Sequence, residues 1–203
     1  MIRLELRSLG VVEETSTFLV VLHAPVEARV LLLEVGTPEG RAIAVESEEL
    51  KTPRPLTHQL VGDLMHTLGA RLNHVLIHRY ESATFYSYLA ITQQDGTELQ
   101  MECRPSDAIA VALHLGAPLY VTPEVLAEAG QDEAEYEADI ARIEELMEEI
   151  LEVDVEEGTS ELAADGTTAE AVEGAPATEA TEMDEDEEMP VRTLRWLTKR
   201  TVH

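Results

Sequence analysis

Cysteine is nearly missing from this chain: Cys103 is the only one in 203 residues. That excludes an internal disulfide and any cysteine-rich zinc site, and it fits a reducing cytoplasm. Long apolar runs are missing too, since none approaches the ~20 residues of a membrane span. The N-terminal "MIRLELRSLG" has no apolar core of a signal peptide. The chain is therefore expected in the cytoplasm, with no membrane association. No glycine-rich phosphate loop, dinucleotide fingerprint, zinc-protease motif or nucleophile elbow occurs, which sets aside the ATPase, dehydrogenase, metalloprotease and elbow-hydrolase classes. Bases are scarce as well: 14 Lys and Arg face 41 Asp and Glu, for a net charge of -27. Proteins that hold nucleic acid concentrate bases, so only a local patch would serve such binding here.

The acids are unevenly placed. Residues 1–130 hold 17 acids and 9 bases, whereas 131–189 hold 24 acids and the single base Arg142. The last stretch, "PVRTLRWLTKRTVH", reverses the sign with four bases and no acid. A self-repelling run such as "MDEDEEM" builds no core. The expected organisation is one globular domain over 1–130, an acidic amphipathic helix over 131–157, a disordered acidic linker over 158–189 and a basic segment over 190–203. In the helix, Tyr136, Ile140, Ile143, Met147 and Ile150 share a stripe. The acidic tail is expected to attract basic partners, the terminal segment included.

Within 1–130 the periodicity predicts a compact α+β domain. "MIRLELRSLGVVEE", "TFLVVLHA" and "ARVLLLEVG" read as three strands. "TPEGRAIAVESEEL" reads as a helix capped by Thr37 with Pro38 in its first turn. A second helix follows, with Leu56, Leu60, Leu64 and Leu68 four apart as its expected inner face and Gly69 as its stop. "NHVLIHRY" is a strand, and Asp95-Gly96 predicts a two-residue hairpin turn. A third helix runs to Gly116, "APLYV" is a short strand, and a fourth helix is capped by Thr122 and ended by Gly130.

Two of these helices open alike. "PRPLTHQLVGDLMHTLGA" and "CRPSDAIAVALHLGAP" share Arg-Pro, a hydroxyl, a polar group, an apolar run and a glycine, which suggests a weak internal duplication. Proline before a helix, Ser106 as an acceptor and Asp107 against the positive helix end all explain helix initiation. The arginines are left over, because a cation opposes the dipole at a helix start unless it meets an anion. Arg54 and Arg104 are therefore each expected to pair with a carboxylate, from Glu39, Glu102 or Asp107, or to converge with Thr57 and Ser106 on a phosphate. His66, His74, His78 and His114 have no recognised metal spacing, and Cys103 reads as a buried strand residue.

"RPLTH", "RPSDAIAVAL", "APLYVTPEVL" and "EVGTPEGRAI" together resemble the signature of the bifunctional nuclease domain family, over most of residues 1–130. The matching positions are Gly36, Glu39, Arg54, Pro55, Thr57, His58, Arg104, Pro105, Ser106 and Asp107. The resemblance implies hydrolysis of phosphodiester bonds in DNA and RNA. His58, Asp107 and Glu39 would then be the catalytic groups or metal ligands, and Arg54, Arg104, Ser106 and Thr57 the phosphate-binding groups, with a divalent metal ion as the expected cofactor. Gln59 and His114 stand where the family pattern has aspartate and arginine, and Glu102 replaces an aspartate. Two other readings stay open: a non-catalytic, oligomeric interaction or regulatory domain, and an enzyme acting on a small anionic molecule.

Overall fold

The structure, a computed structural model, describes residues 1–12, 15–143, 145 and 194–196, the last three by backbone alone. The expected acidic linker over 158–189, the outer part of the expected helix and most of the basic segment lie outside the described residues. Packing divides the chain into Met1–Glu137 with Arg192–His203, and Ala138–Val191. Core and candidate site belong to the first unit. The described residues of the second are helical.

The three opening strands form as expected: β1 (Ile2–Val12), β2 (Thr17–Ala24) and β3 (Arg29–Val35). Two helices follow, α1 (Thr37–Ser47) and α2 (Thr57–Thr67). Then come β4 (Arg71–Glu81), β5 (Thr84–Thr92), β6 (Glu98–Cys103), α3 (Pro105–Leu115), β7 (Leu119–Val121), α4 (Pro123–Ala129), β8 (Gly130–Asp132) and β9 (Leu194–Trp196). The fold is α+β. Its sheet runs β6-β5-β4-β7-β1-β2-β3-β8, with β9 beside β1. All pairings are antiparallel except β4 with β7. β1 changes partner along its length, pairing Ile2–Leu4 with β7 and Glu5–Val12 with β2, and a register shift between Leu6 and Ser8 interrupts the second pairing.

One core gathers Leu4, Leu9, Val20, Leu22, Leu31 and Leu33 from the opening strands with Val75, Ile77, Leu89 and Ile91 from β4 and β5. The helices close it. α3 runs through the middle of the helical layer, touching both α1 and α2, and buries Ala108, Ile109, Ala110, Val111 and Ala112 in succession. Its alanines let neighbours approach on several sides, and Ile109, fully buried, contributes about 1.5–3 kcal/mol.

Several local expectations need correction. Thr37 is the first residue of α1 and not its cap: Gly36 holds the cap position, and the Thr37 hydroxyl donates to the Ser16 carbonyl instead. Thr122 does cap α4, accepting from the Val125 N–H. The Asp95-Gly96 hairpin exists, but Gln93 N–H donates to Thr97 O at 2.8 Å and only Gly96 has positive φ, so the turn is longer than two residues. The tight two-residue turn is Ser82-Ala83, between β4 and β5, with φ of 50° and 55°. Neither residue signals such a turn, because positive φ is the habit of Gly and Asn. Gly130 ends α4 as expected, but not as a left-handed stop. Gly130 is extended, at φ -81° and ψ 146°, and opens β8, which pairs with β3. Beyond it residues 133–143 are helical, with Tyr136 buried under the Arg7 guanidinium.

The largest departure concerns α2. Its leucine row was expected inside, yet Leu60, Leu64 and Leu68 are 60%, 54% and 63% exposed, and the buried residues are His58 and Gly62. The reason is contact with α3. A Cβ on Gly62 would meet Cδ2 of His114 at 2.6 Å and Cδ2 of Leu115 at 3.1 Å, so the glycine face is the one that can seat against that helix.

Candidate active site

The N-terminal ends of three helices meet at one cleft of about 800 Å³. Glu39 enters from the first turn of α1, Thr57 and His58 from the start of α2, and Arg104, Ser106 and Asp107 from the start of α3. Six of the seven residues expected in a site therefore line a single cavity. Arg54 does not. It lies exposed in the irregular segment before α2, and among the described residues no carboxylate pairs with it.

Arg104 is the pivot. As the cap residue of α3 it has extended backbone, at φ -66° and ψ 144°, which the following proline enforces. Its side chain folds back onto the helix it precedes: Nε donates to Asp107 Oδ2 at 2.7 Å and Nη2 to Asp107 Oδ1 at 3.0 Å. Nη1 reaches Glu39 Oε1 of α1 at 2.8 Å. The fork geometry suits a carboxylate on each side. Asp107, then Glu39, drive the Arg104 pKa upward, so the cation is permanent. Its side chain is 64% exposed at the cleft mouth, whereas Glu39 is largely buried. Glu39 can turn there because position 36 is glycine: a Cβ on Gly36 would meet Glu39 Oε2 at 2.6 Å. The expected pairing of Arg104 with Glu39 and Asp107 holds. Glu102 takes no part, its oxygen lying 4.0 Å from His78 Nε2.

A second network lies behind the cleft, and its centre, Glu46, was not among the residues expected to matter. Glu46 occupies the last turn of α1, with its side chain 12% exposed. Its Oε1 accepts from His58 Nε2 and Gln59 Nε2, both at 2.7 Å, and its Oε2 lies 3.3 Å from His114 Nδ1. Burial pushes the Glu46 carboxyl up, but the bonds from His58, Gln59 and His114 outweigh it and hold the pKa below the usual carboxylate range. The carboxylate is thus ionised and can only accept. His58 therefore donates through Nε2, and Nδ1 is the ring nitrogen not engaged by Glu46. Gln59 extends the network by accepting from the Leu56 N–H at 2.8 Å and the Thr52 hydroxyl at 3.2 Å. The sequence does hold a signal for Glu46: it follows buried Ile43 by three residues and so shares that helix face.

The residues present do not fit a resident divalent metal. Glu39 and Asp107 turn their oxygens to Arg104, and His58 turns Nε2 to Glu46. Among the described residues no three His, Cys, Asp or Glu side chains converge on one point. Cys103 is half-buried, and burial pushes its thiol up, away from a reactive thiolate.

Comparison with known proteins gives the family. The bifunctional nuclease domain matches residues 20–134, more than half of the chain, and the chain belongs to that family. Two uncharacterised proteins of Mycobacterium tuberculosis, from strains CDC 1551 / Oshkosh and ATCC 25618 / H37Rv, are each 39% identical over 127 residues. The match covers 61% of this chain and 75% of each relative. No helix among the described residues is long and apolar enough to cross a membrane.

Proposed function

We propose that this member of the bifunctional nuclease domain family hydrolyses phosphodiester bonds in DNA and RNA, at the cleft where α1, α2 and α3 begin. The observation that carries the reading is the convergence of Glu39, Thr57, His58, Arg104, Ser106 and Asp107 on that one cavity. Three helix N-termini and a guanidinium suit a phosphate, because unpaired backbone N–H groups, the helix dipole and the Arg fork all favour an anion. A phosphate arriving at Arg104 exchanges with one of its carboxylates, so Glu39 or Asp107 is released as the substrate binds. His58, oriented by Glu46, takes a proton from the attacking water through Nδ1. The water oxygen bonds to phosphorus while the bond to the leaving sugar oxygen breaks, and solvent protonates that oxygen. Arg54, exposed and outside the cleft, is assigned at most a secondary electrostatic role on the approaching strand.

The test is cleavage of single- and double-stranded DNA and RNA by the full chain, with divalent ions varied and a chelator added. Loss of one electrostatic contact to the transition state costs about 10²–10³ in rate, and that is the expected loss for Arg104→Ala. His58→Ala and Asp107→Ala should also lose rate. Cleavage unchanged in all three variants would place the activity elsewhere. A cytoplasmic setting fits the lone Cys103, and we assign the acidic tail the role of competing with nucleic acid or recruiting basic partners.

A second reading rests on the ionic triad itself. Arg104 is already neutralised by two carboxylates, which is what a scaffold pinning α1 to α3 requires. On that reading the chain is an interaction or regulatory domain. Hydrolysis of a small anionic substrate is the third reading, and a small phosphodiester offered to the wild type and the same variants tests it.

A further inference from the structure

Among the described residues the buried side-chain polar atoms without a hydrogen-bond partner are His23 Nε2, Arg29 Nε, Asn73 Oδ1 and His78 Nε2. The first two belong to side chains engaged otherwise: His23 faces Glu133 as an ion pair at 3.0 Å, and Arg29 donates to Gly130 O through Nη2. The other two lie on β4, and each stands where the pairing with β5 slips register, between Leu72 and His74 and between Ile77 and Arg79. Such bulges re-aim a side chain. Asn73 donates to Thr92 Oγ1 through Nδ2 at 2.7 Å, which leaves its carbonyl oxygen as an acceptor without a donor. Glu102 Oε1 is 4.0 Å from His78 Nε2, beyond hydrogen-bond reach.

Between the two bulges, rings from β4, β5 and β7 form a continuous row on the sheet face turned away from the core. Tyr120 meets His74 edge-on at 5.7 Å between centroids, His74 meets Tyr88 at 6.5 Å, and Tyr88 meets His78 at 5.3 Å. The strand neighbours of these rings, Val75, Ile77, Leu89, Leu119 and Val121, are the residues that enter the core. Arg3 lies over Tyr120 at one end of the row, and Arg79 lies over Tyr86 at the other. A cavity of about 610 Å³ opens beside the row, lined by Asn73, His74 and Tyr88 together with Glu98 and Gln100 of β6.

We propose that this face binds a short run of about three unpaired nucleotides, their bases stacked on the ring row and one base edge in the cavity at Asn73. The choice of a nucleic-acid strand as occupant rests on the function proposed above, but none of these residues belongs to the cleft. Aromatic rings spread over a sheet face hold single strands by stacking, whereas a duplex keeps its base faces against one another. A base edge carries the N–H donor that Asn73 Oδ1 lacks, and it offers partners to the Gln100 amide and the Glu98 carboxylate. An apolar peptide would leave those groups unpaired. Charge adds little: Glu81 pairs with Arg79, and Glu98 and Glu102 border the row, so stacking supplies the hold. The row also leads to the cleft. Glu102, beside His78, precedes Arg104 by two residues, so a strand leaving the row at His78 passes round β6, the last strand of the sheet, to the cleft mouth.

Fluorescence anisotropy of labelled hexathymidylate with the full chain tests this, with strand integrity checked by electrophoresis and the fold of each variant by circular dichroism. Tyr88→Ala and Tyr120→Ala should each weaken binding about 5- to 100-fold, and Tyr88→Phe, which keeps the stacking face, should stay within about threefold of wild type. Log affinity against log salt should have a slope no steeper than about -1.4, the value for two phosphate contacts on a single strand. Thymidine monophosphate should compete at least about tenfold more weakly than the hexamer, because it engages one ring. A strand carrying 5-iodouracil, irradiated with the wild type, should cross-link to peptides holding His74, Tyr88 or Tyr120, and this decides alone if the alanine variants misfold. No binding by the wild type, equal affinity in Tyr88→Ala, a steeper salt slope, a mononucleotide that competes as well as the hexamer, or cross-links only elsewhere would each overturn the proposal. Cleavage is read from the same samples. A wild type that binds through Tyr88 without cutting overturns the proposed hydrolysis and keeps the platform; one that cuts, with Tyr88→Ala binding unchanged, does the reverse.

Discussion

The Arg-Pro corner at 54–55 and the one at 104–105 share a local grammar and end in opposite circumstances. Arg104 is held by Glu39 and Asp107 and lines the cleft, and the helix after it is buried for five successive residues. Arg54 is exposed and unpaired among the described residues, and the helix after it turns its leucines to solvent. The proline fixes the entry conformation in both cases. What differs is the residue three places on. Asp107 returns a carboxylate to its own arginine, whereas the matching position after Arg54 is Thr57, which has no charge to return. A helix start specifies how the chain enters the helix, and the neighbours specify what the corner then does.

Substitutions in the two helices should widen that contrast. Ile109→Ala in α3 opens a cavity in the core and should cost about 2–5 kcal/mol in denaturant unfolding. Leu60→Ala in α2, at dilute protein, should cost within about 0.5 kcal/mol, as for an exposed position. Comparable losses at the two sites would mean that α2 is packed by something beyond α3.

The network that ties α2 to its neighbours should come next in size. Glu46→Ala leaves His58 Nε2 and the Gln59 amide without their acceptor and should cost about 1–3 kcal/mol. The pH dependence has a definite sign. The folded Glu46 pKa lies below its unfolded value, so its stabilisation is complete above about pH 4.3 and is lost as pH falls through the lower folded value. Compared with Glu46→Gln, the wild type should therefore lose its advantage only below about pH 4.3, in thermal melts across that range. An advantage that instead grows on acidification would show the carboxyl to be protonated in the fold.

Smallest in stability should be the arginines themselves. Arg104 is 64% exposed, and solvent-screened pairs contribute about 0–1 kcal/mol, so Arg104→Ala should lower the melting temperature slightly, and less at high salt. Arg54→Ala should leave it unchanged. A larger loss for Arg54→Ala would reverse the assignment of the two corners.

Much of this was legible in the chain itself. Alternation in "RLELR" and the continuous apolar run in "FLVVL" both mark strands, the second buried at Val20, Val21 and Leu22 in succession, and the proline-hydroxyl-acid run at 105–107 marks a real helix start. Glu39, His58 and Asp107 carry chemistry and a family pattern, and they do share a cleft. The orientation of α2 was not legible, because leucines four apart describe a stripe without saying which side of the helix meets its neighbour. A glycine, Gly62, and a histidine, His58, decided that, and both read as polar or neutral in a pattern of apolar residues. Glu46 was hidden among Glu48 and Glu49. Its burial depends on Gln59 and His114, each from a different helix, and sequence separation conceals such a meeting. Ser82-Ala83 carries no turn residue; the pairing of β4 with β5 imposes its backbone.

We place the proposed phosphate chemistry at the corner at 104, and not at the one at 54. Cleavage rates of a single-stranded oligonucleotide by wild type, Arg54→Ala and Arg104→Ala, at matched salt and with melting temperatures recorded, test it most directly. Arg104→Ala should lose about 10²–10³ in rate while its melting temperature falls only slightly, and Arg54→Ala should stay within a few-fold of wild type. Equal rates for wild type and Arg104→Ala, or a larger loss in Arg54→Ala, would contradict it.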